Sequence, residues 1–168
     1  MTEPAIIRSP NAQAPKEFEE FAFLAGDWDC DVRQLMDNGE FIEVKTRLVG
    51  TYTLDGYAFQ DDMLVPFGFG LGTTFRTYDP IKKRWACRWL EAGRDASVQF
   101  TNEWFYGNFI DGEMRLQGPG EDADGAYENR IIFSNITDDS FSWTLSRTYD
   151  GGETWAEAIG TLEAKRRR

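Results

Sequence analysis

Histidine is missing from all 168 residues, and this absence excludes more chemistry than any motif in the chain supplies. Without an imidazole there is no Ser-His-Asp or Cys-His relay, no histidine-held haem and no ordinary zinc hydrolase site. Any proton transfer falls to Asp, Glu, Tyr, Lys, Cys or water. Cysteine is scarce. Cys30 and Cys87 are the only two, and each sits in a strand-like run among apolar neighbours, which reads as two buried thiols rather than a disulfide. Positive charge is short as well: 18 Lys and Arg face 29 Asp and Glu, a net charge of −11. Such a field repels nucleic acid and anionic membranes, so neither is expected as a partner. The basic end, Lys165-Arg166-Arg167-Arg168, reads as a solvated terminus. No apolar run approaches the length of a membrane span, and MTEPAIIRSPNAQAP lacks the charged-then-apolar order of a signal peptide. The expectation is a cytoplasmic protein, with the choice between monomer and homodimer left open.

Aromatics, by contrast, are abundant, with six Trp and thirteen Phe. In a chain long enough for one domain with a real core, such a load lines either that core or a pocket. The first 14 residues, with two prolines and mixed polarity, read as a flexible segment, and residues 15–168 as a single domain. PKEFEEFAFLAG predicts a short helix over 15–25, opened by Pro15 and stopped by Gly26. Phe18, Phe21, Ala22 and Ala25 fall on one face at helical spacing, with Leu24 on its flank and Phe23 off the stripe.

From Gly26 onward the period changes to two. In GDWDCDV, Trp28, Cys30 and Val32 alternate with Asp27, Asp29 and Asp31. In EVKTRLVGTYTL, Val44, Thr46, Leu48, Gly50, Tyr52 and Leu54 share a face. In FSWTLSRTY, Phe141, Trp143, Leu145, Arg147 and Tyr149 alternate with Ser142, Thr144, Ser146 and Thr148. These are antiparallel strands wet on one side. Seven further runs, YAFQDDML, GLGTTFRTYD, RWACRWLEA, ASVQFTNEWF, EMRLQG, ENRIIFSNI and TWAEAIGTLEA, bring the number to about ten. Turn residues such as Asp55-Gly56, Asp111-Gly112 and Asp150-Gly151-Gly152 separate them. Ten short strands with hairpin-length connections favour an all-β fold, an up-and-down barrel or a sandwich, with the helix covering one end of a barrel. The stretch GPGEDADGA, 118–126, reads as a mobile loop. Its acidic run lacks the spacing of an EF-hand, so no metal is expected there. FGFGLG, 67–72, lacks the Lys and following helix of a phosphate loop and reads as a pliant mouth loop or a strand kink.

TYDGGETW, 148–155, satisfies the Asp-box pattern of sialidase-type propellers at Thr148, Asp150, Gly152 and Trp155. A propeller repeats that box once per blade, whereas here TYDPIKKRW, 77–85, is only an echo. The chain is also too short for several four-stranded blades. Both stretches read as hairpin connections in which Asp takes backbone N–H groups and Gly supplies positive φ.

The placement of GDWDCDV, after a short helix and opening the first strand, resembles the Gly-x-Trp signature of lipocalins and other calycins. With TTFRTYDPIKKRWACRWL, IIFSNITDDSFSWTLSRTYDGGETW and the closing AKRRR, the chain from Phe18 to Arg168 looks like a family of bacterial calycin-like barrels to which no reaction is assigned. The resemblance implies a closed antiparallel barrel with an internal cavity and Trp28 packed in its floor. In outline the chain is also similar to nitrobindin-type haem barrels, but their proximal histidine has no counterpart here. No cofactor is therefore expected.

Polar residues stranded on apolar faces are the site candidates. Asp61 shares a face with Tyr57, Phe59 and Met63; Glu91 is in line with Trp85, Cys87 and Trp89. Asn102 falls between Phe100 and Trp104, and Arg147 between Leu145 and Tyr149. Arg76, within TTFRTYDP, is a further candidate. A buried charge needs a partner, and Arg147 with Glu91 or Asp61 is the pairing the faces suggest. Trp89 and Trp143, from the wider set Trp28, Trp85, Trp89, Trp104 and Trp143, supply aromatic wall or plain core. Two functions follow. One is binding of a small, largely apolar or aromatic molecule, with Arg147 on its anionic or carbonyl end. The other is a cofactor-free isomerase, lyase or hydratase, in which Asp61 or Glu91 moves a proton and Arg147 or Tyr52 stabilises developing charge. A fully packed barrel with a structural role is the third option, separated from these by cavity volume.

Overall fold

Ten antiparallel strands realise this alternation in the computed structural model, which describes residues 5–36, 38–65, 70–92 and 101–168. The strands are β1 (Gly26–Leu35), β2 (Phe41–Thr53), β3 (Ala58–Val65), β4 (Gly70–Asp79), β5 (Arg84–Ala92), β6 (Thr101–Ile110), β7 (Glu113–Asp122), β8 (Gly125–Ser134), β9 (Ser140–Thr148) and β10 (Ala156–Arg166). Each pairs with its neighbours in sequence, and β1 also pairs with β10, Trp28 opposite Arg166 and Val32 opposite Leu162. The sheet thus closes on itself as an up-and-down barrel and leaves no edge strand. Inward rows are apolar and outward rows polar. On β1, Trp28 and Cys30 are buried, while Asp27 takes two hydrogen bonds from Arg47 at 2.7 and 2.5 Å on the outer surface. A lipid-facing barrel would carry an apolar band there instead. Among the described residues, no helix is long and apolar enough to cross a membrane.

The helix is wound more tightly than expected, with fewer residues per turn. Lys16–Leu24 is a 3₁₀ helix, closed by bonds of the i to i+3 type such as Phe18 N–H to Pro15 and Ala25 N–H to Ala22. With three residues per turn, Phe18, Phe21 and Leu24 align on one face, and all three are buried. The spacing of those three side chains decides the pitch; Ala22 and Ala25 are too small to anchor a 3.6-residue stripe. The helix plugs one end of the barrel. Phe21 packs edge-on to Trp85 at 4.7 Å and to Phe133 at 6.1 Å, and Phe23 edge-on to Phe141 at 5.6 Å. Barrel side chains satisfy its polar groups: Trp28 Nε1 donates to the Leu24 carbonyl (2.9 Å), Tyr52 Oη to the Phe18 carbonyl (2.5 Å) and Trp85 Nε1 to the Glu20 carboxylate (2.9 Å). Arg166 lies 4.0 Å over the Trp28 ring and donates to the Ala25 and Asp138 carbonyls, sealing the floor.

The N-terminal segment bonds to β2 and the turn after it: Tyr52 N–H donates to the Ile7 carbonyl, Ile7 N–H to Thr51 Oγ1, and Asn11 Nδ2 to the Asp55 carboxylate. One further expectation needs correction. The stretch 118–126, read as a mobile loop, belongs to β7 and β8, paired from Gly118 opposite Asn129 to Asp122 opposite Gly125. Gly118 and Gly120 serve strand packing, while Gly125, with φ of 118°, serves the turn. A Cβ on Gly118 would come within 1.9 Å of the Trp104 carbonyl, and one on Gly120 within 2.2 Å of the Tyr127 ring.

TYDGGETW is the β9–β10 connection, as its turn chemistry implied. Gly151 and Gly152 adopt φ of 71° and 96°. The Asp150 carboxylate accepts from Thr154 N–H and Thr154 Oγ1, and Thr148 Oγ1 donates to it at 2.7 Å. The echo at Asp79 works similarly, taking the N–H groups of Ile81 and Lys82. Register then shifts between Ala156 and Gly160, where Ala158 has φ of 53°, so a bulge bends β10 beside Arg147.

Candidate binding site at the open end of the barrel

Hairpins alternate between the two ends of an up-and-down barrel, so every inward row runs from the plugged floor toward the opposite mouth. Burial changes along these rows. Near the floor and at mid-height Cys30, Leu48, Cys87, Phe105, Ile131 and Leu162 are all buried. Nearer the mouth Val32, Met63, Trp89, Trp143 and Leu145, also inward and packed on that core, are only half-buried. The inner side chains near the mouth are thus partly exposed, whereas those of the Cys87 layer are closed off. Trp89 leans across β4, where a Cβ on Gly72 would fall within 1.8 Å of its ring. Glycine at this position makes room for the indole.

Below these half-buried side chains lies a buried ion pair whose partners differ from those expected. Asp61 pairs with Arg76, not with Arg147, and their side chains are 3% and 4% exposed. Arg76 stands opposite Phe59 on β3 and Cys87 on β5. Its guanidinium lies 4.9 Å over Phe21, 5.9 Å from Phe59 and 6.0 Å from Phe133, a cage of ring faces that favours a cation. Burial draws Arg76 down to about 10, so it stays charged at neutral pH. Its Nε has no hydrogen-bond partner. The same burial raises the Cys87 thiol to about 12. Asp61 is thus removed from the role of proton carrier, because its carboxylate is locked to a cation inside the core. Tyr52 is removed from the role of charge stabiliser: its hydroxyl is spent on the Phe18 carbonyl at the plugged end, and burial raises its pKa.

Above them, five neighbouring strands bring polar side chains to the inward face of the mouth. Glu91 on β5, Glu103 on β6, Asp122 on β7, Tyr127 and Asn129 on β8, and Arg147 on β9 lie in inward rows. Arg147 is 23% exposed, neither in bulk solvent nor sunk in the core. Its Nε donates to Asn129 Oδ1 and its Nη1 to Asp122 Oδ2, both at 3.0 Å, and its plane lies 3.7 Å over the Tyr127 ring. Tyr149 Oη also donates to Asp122 Oδ2, at 2.8 Å. The carboxylate serving Arg147 is therefore the hairpin's own Asp122, which the loop reading of 118–126 had hidden. Tyr127 Oη donates to Glu103 at 3.1 Å. Glu91 stands inward with Trp89 as expected, and burial, then the charge of Glu103, holds its carboxyl above the usual value. Among the described residues, no hydrogen bond or ion pair holds the Glu91 carboxyl.

Asn102 on β6 pairs with Leu90 on β5. The side chain of Asn102, together with Phe100 and residues 67–69 of the glycine-rich stretch, lies outside the described residues. Glu103, Asp122, Tyr127 and Asn129 were missed in the sequence. Alternation in ENRIIFSNI places Asn129 in line with Ile131 and Phe133, a signal that was available. Outside the barrel wall, a hollow of about 380 Å³ lies between the helix and β6, lined by Lys16, Glu19, Glu20, Phe23, Phe109 and Ile136. Lys16 and Glu19 are exposed there, while Glu20 is half-buried and bonded to Trp85. No protein family matches this chain, and no curated protein does.

Proposed function

We propose that the barrel binds a small, largely apolar or aromatic molecule through its open end, with Arg147 as the polar anchor. One observation carries the reading: inward hydrophobic side chains near the mouth, Trp89, Trp143 and Leu145 among them, are half-buried, while the layer below is closed. Apolar walls left partly exposed beneath a ring of directed polar groups are what a small-molecule site needs. Arg147 fits the anchor role because Asn129 and the Tyr127 ring hold its guanidinium at the edge of that space, and a planar fork of donors suits carbonyl or anionic oxygens. Family membership in the calycin-like barrels is part of the same proposal, supported by the closed ten-strand topology and the plugged floor around Trp28.

The test is a screen of aromatic carboxylates and ketones by quenching of tryptophan emission, wild type against Arg147→Met. The variant should keep its melting temperature within a few degrees and bind the best ligand about tenfold more weakly, the loss of one charge-assisted hydrogen bond. Failure of the whole panel to quench would refute an accessible aromatic cavity.

Glu91 favours a second reading. A half-buried carboxyl held above its ordinary value beside a second carboxylate suits general acid–base work, as in a cofactor-free isomerase, lyase or hydratase. Arg147 or Tyr127 would then stabilise the developing charge. Turnover of a bound ligand that is lost in Glu91→Gln, with binding retained, distinguishes catalysis from binding alone.

A further inference from the structure

The two halves of the Arg147–Asp122 pair are built differently. The cation is framed from within the barrel. Asn129, 2% exposed, accepts its Nε, and the Tyr127 ring beneath it is itself tethered to Glu103. The anion comes from the last residue of β7, at the tip of the β7–β8 hairpin, and is 33% exposed. Beyond Arg147 it is fastened by the hydroxyl of Tyr149, a residue 48% exposed, and by the backbone N–H groups of Asp124 and Gly125 in its own turn. A preorganised guanidinium facing a replaceable carboxylate is the arrangement of an anion site whose resting occupant belongs to the protein.

We propose that Asp122 occupies Arg147 in competition with the ligand, and that the site selects aromatic molecules bearing a carboxylate or another anionic oxygen group. The inference rests on the binding function proposed above and adds the charge class of the ligand and the residue that opposes it. Entry of the ligand's anionic group exchanges one ion pair for another and frees the end of the β7–β8 hairpin from the β9–β10 side. Glu91 and Glu103 keep the facing wall acidic, so the ligand's anion has its place on the Arg147 side, with its ring toward Trp89 and Trp143. Asp122 thereby sets affinity by internal competition, as a ligand already in place at high local concentration.

Two probes of like shape and different charge test this: anilinonaphthalene sulfonate, an aromatic anion, and phenylnaphthylamine, its neutral counterpart. Both are titrated against wild type, Asp122→Asn, Tyr149→Phe and Arg147→Met, with emission and energy transfer from tryptophan as the readout. Asp122→Asn, at an exposed hairpin tip, should strengthen binding of the sulfonate about two- to fivefold, the range for releasing a part-exposed ion pair. Binding of the neutral probe should change by less. Tyr149→Phe should act in the same direction and more weakly, because it removes one of the bonds that hold Asp122 in place. Arg147→Met should abolish the preference for the anion while the neutral probe still binds. Binding of both probes with a sulfonate preference unchanged in Asp122→Asn and Tyr149→Phe overturns the competition and leaves the binding function standing. Failure of both probes to bind any of the four proteins overturns both readings.

Discussion

Arg76→Met removes the cation from the most deeply buried ion pair described in the barrel and leaves the Asp61 carboxylate without it. Both side chains are within a few per cent of complete burial, so water cannot take over the lost partner. Breaking a buried pair from one side costs about 3–5 kcal/mol, whereas replacing both partners by apolar side chains is often neutral or better. For a chain of 168 residues that cost corresponds to a fall in melting temperature of roughly 6–20 °C. Two features of the site place the net value of the intact pair low in its range. Arg76 Nε has no hydrogen-bond partner among the described residues, and beyond Asp61 its charge is met by the Cys87 thiol and the faces of Phe21, Phe59 and Phe133. The double variant Asp61→Leu/Arg76→Met should therefore recover most of the loss, giving a large coupling between the two positions in a double-mutant cycle. Urea unfolding of wild type, both single variants and the double variant, at pH 7 with refolding verified, measures all four corners. Single-variant costs below about 1 kcal/mol would refute the reasoning, as they would mean that water or another group reaches the stranded charge. A double variant no better than the worse single variant would refute it from the other side, by assigning the energy to shape rather than charge.

Asp150→Ala should lower the urea midpoint without affecting ligand binding, because its carboxylate holds only the turn. The bonds from Thr154 and Thr148 hold the Asp150 carboxyl well below the usual aspartate range, so its stabilisation is present above that range and lost as pH falls through the folded-state pKa. The gap between wild type and variant should accordingly close on acidification below pH 4; a gap independent of pH would assign the effect to the backbone instead. Gly72→Ala should displace the Trp89 ring, since the new methyl would fall 1.8 Å from it. A changed tryptophan emission maximum with a stability loss of about 1–3 kcal/mol is expected for such overpacking; unchanged emission would show that the ring does not rest on β4.

The period of the alternation and the placement of Asp-Gly turns were enough to read the class of fold, because in a barrel wet on the outside each strand carries its own inside-outside pattern. Trp28, Cys30, Phe141 and Leu145 could be assigned to the inner face from five or six neighbouring residues, and the role of TYDGGETW followed from turn chemistry alone. Pitch was less legible. In a nine-residue helix, Phe18, Phe21 and Leu24 satisfy a three-residue period as readily as Phe18, Phe21 and Ala25 satisfy a longer one, and only the plug's contacts with Trp85 and Phe133 choose between them. Glycine and acid content misled at 118–126, because a strand in which glycines make room for Tyr127 and for the neighbouring backbone has the same composition as a loop. Pairing of charges lay beyond local pattern altogether. Asp61, Glu91 and Arg147 could each be assigned a face, but which cation meets which carboxylate depends on height along the barrel and on neighbouring strands. Asp61 on β3 meets Arg76 on adjacent β4 because their rows stand side by side at mid-height, while Arg147, four strands beyond β5 at the rim, meets Asp122, Asn129 and Tyr149 there. Alternation along a strand is a property of two successive residues, whereas register between strands is set by closure of the whole sheet.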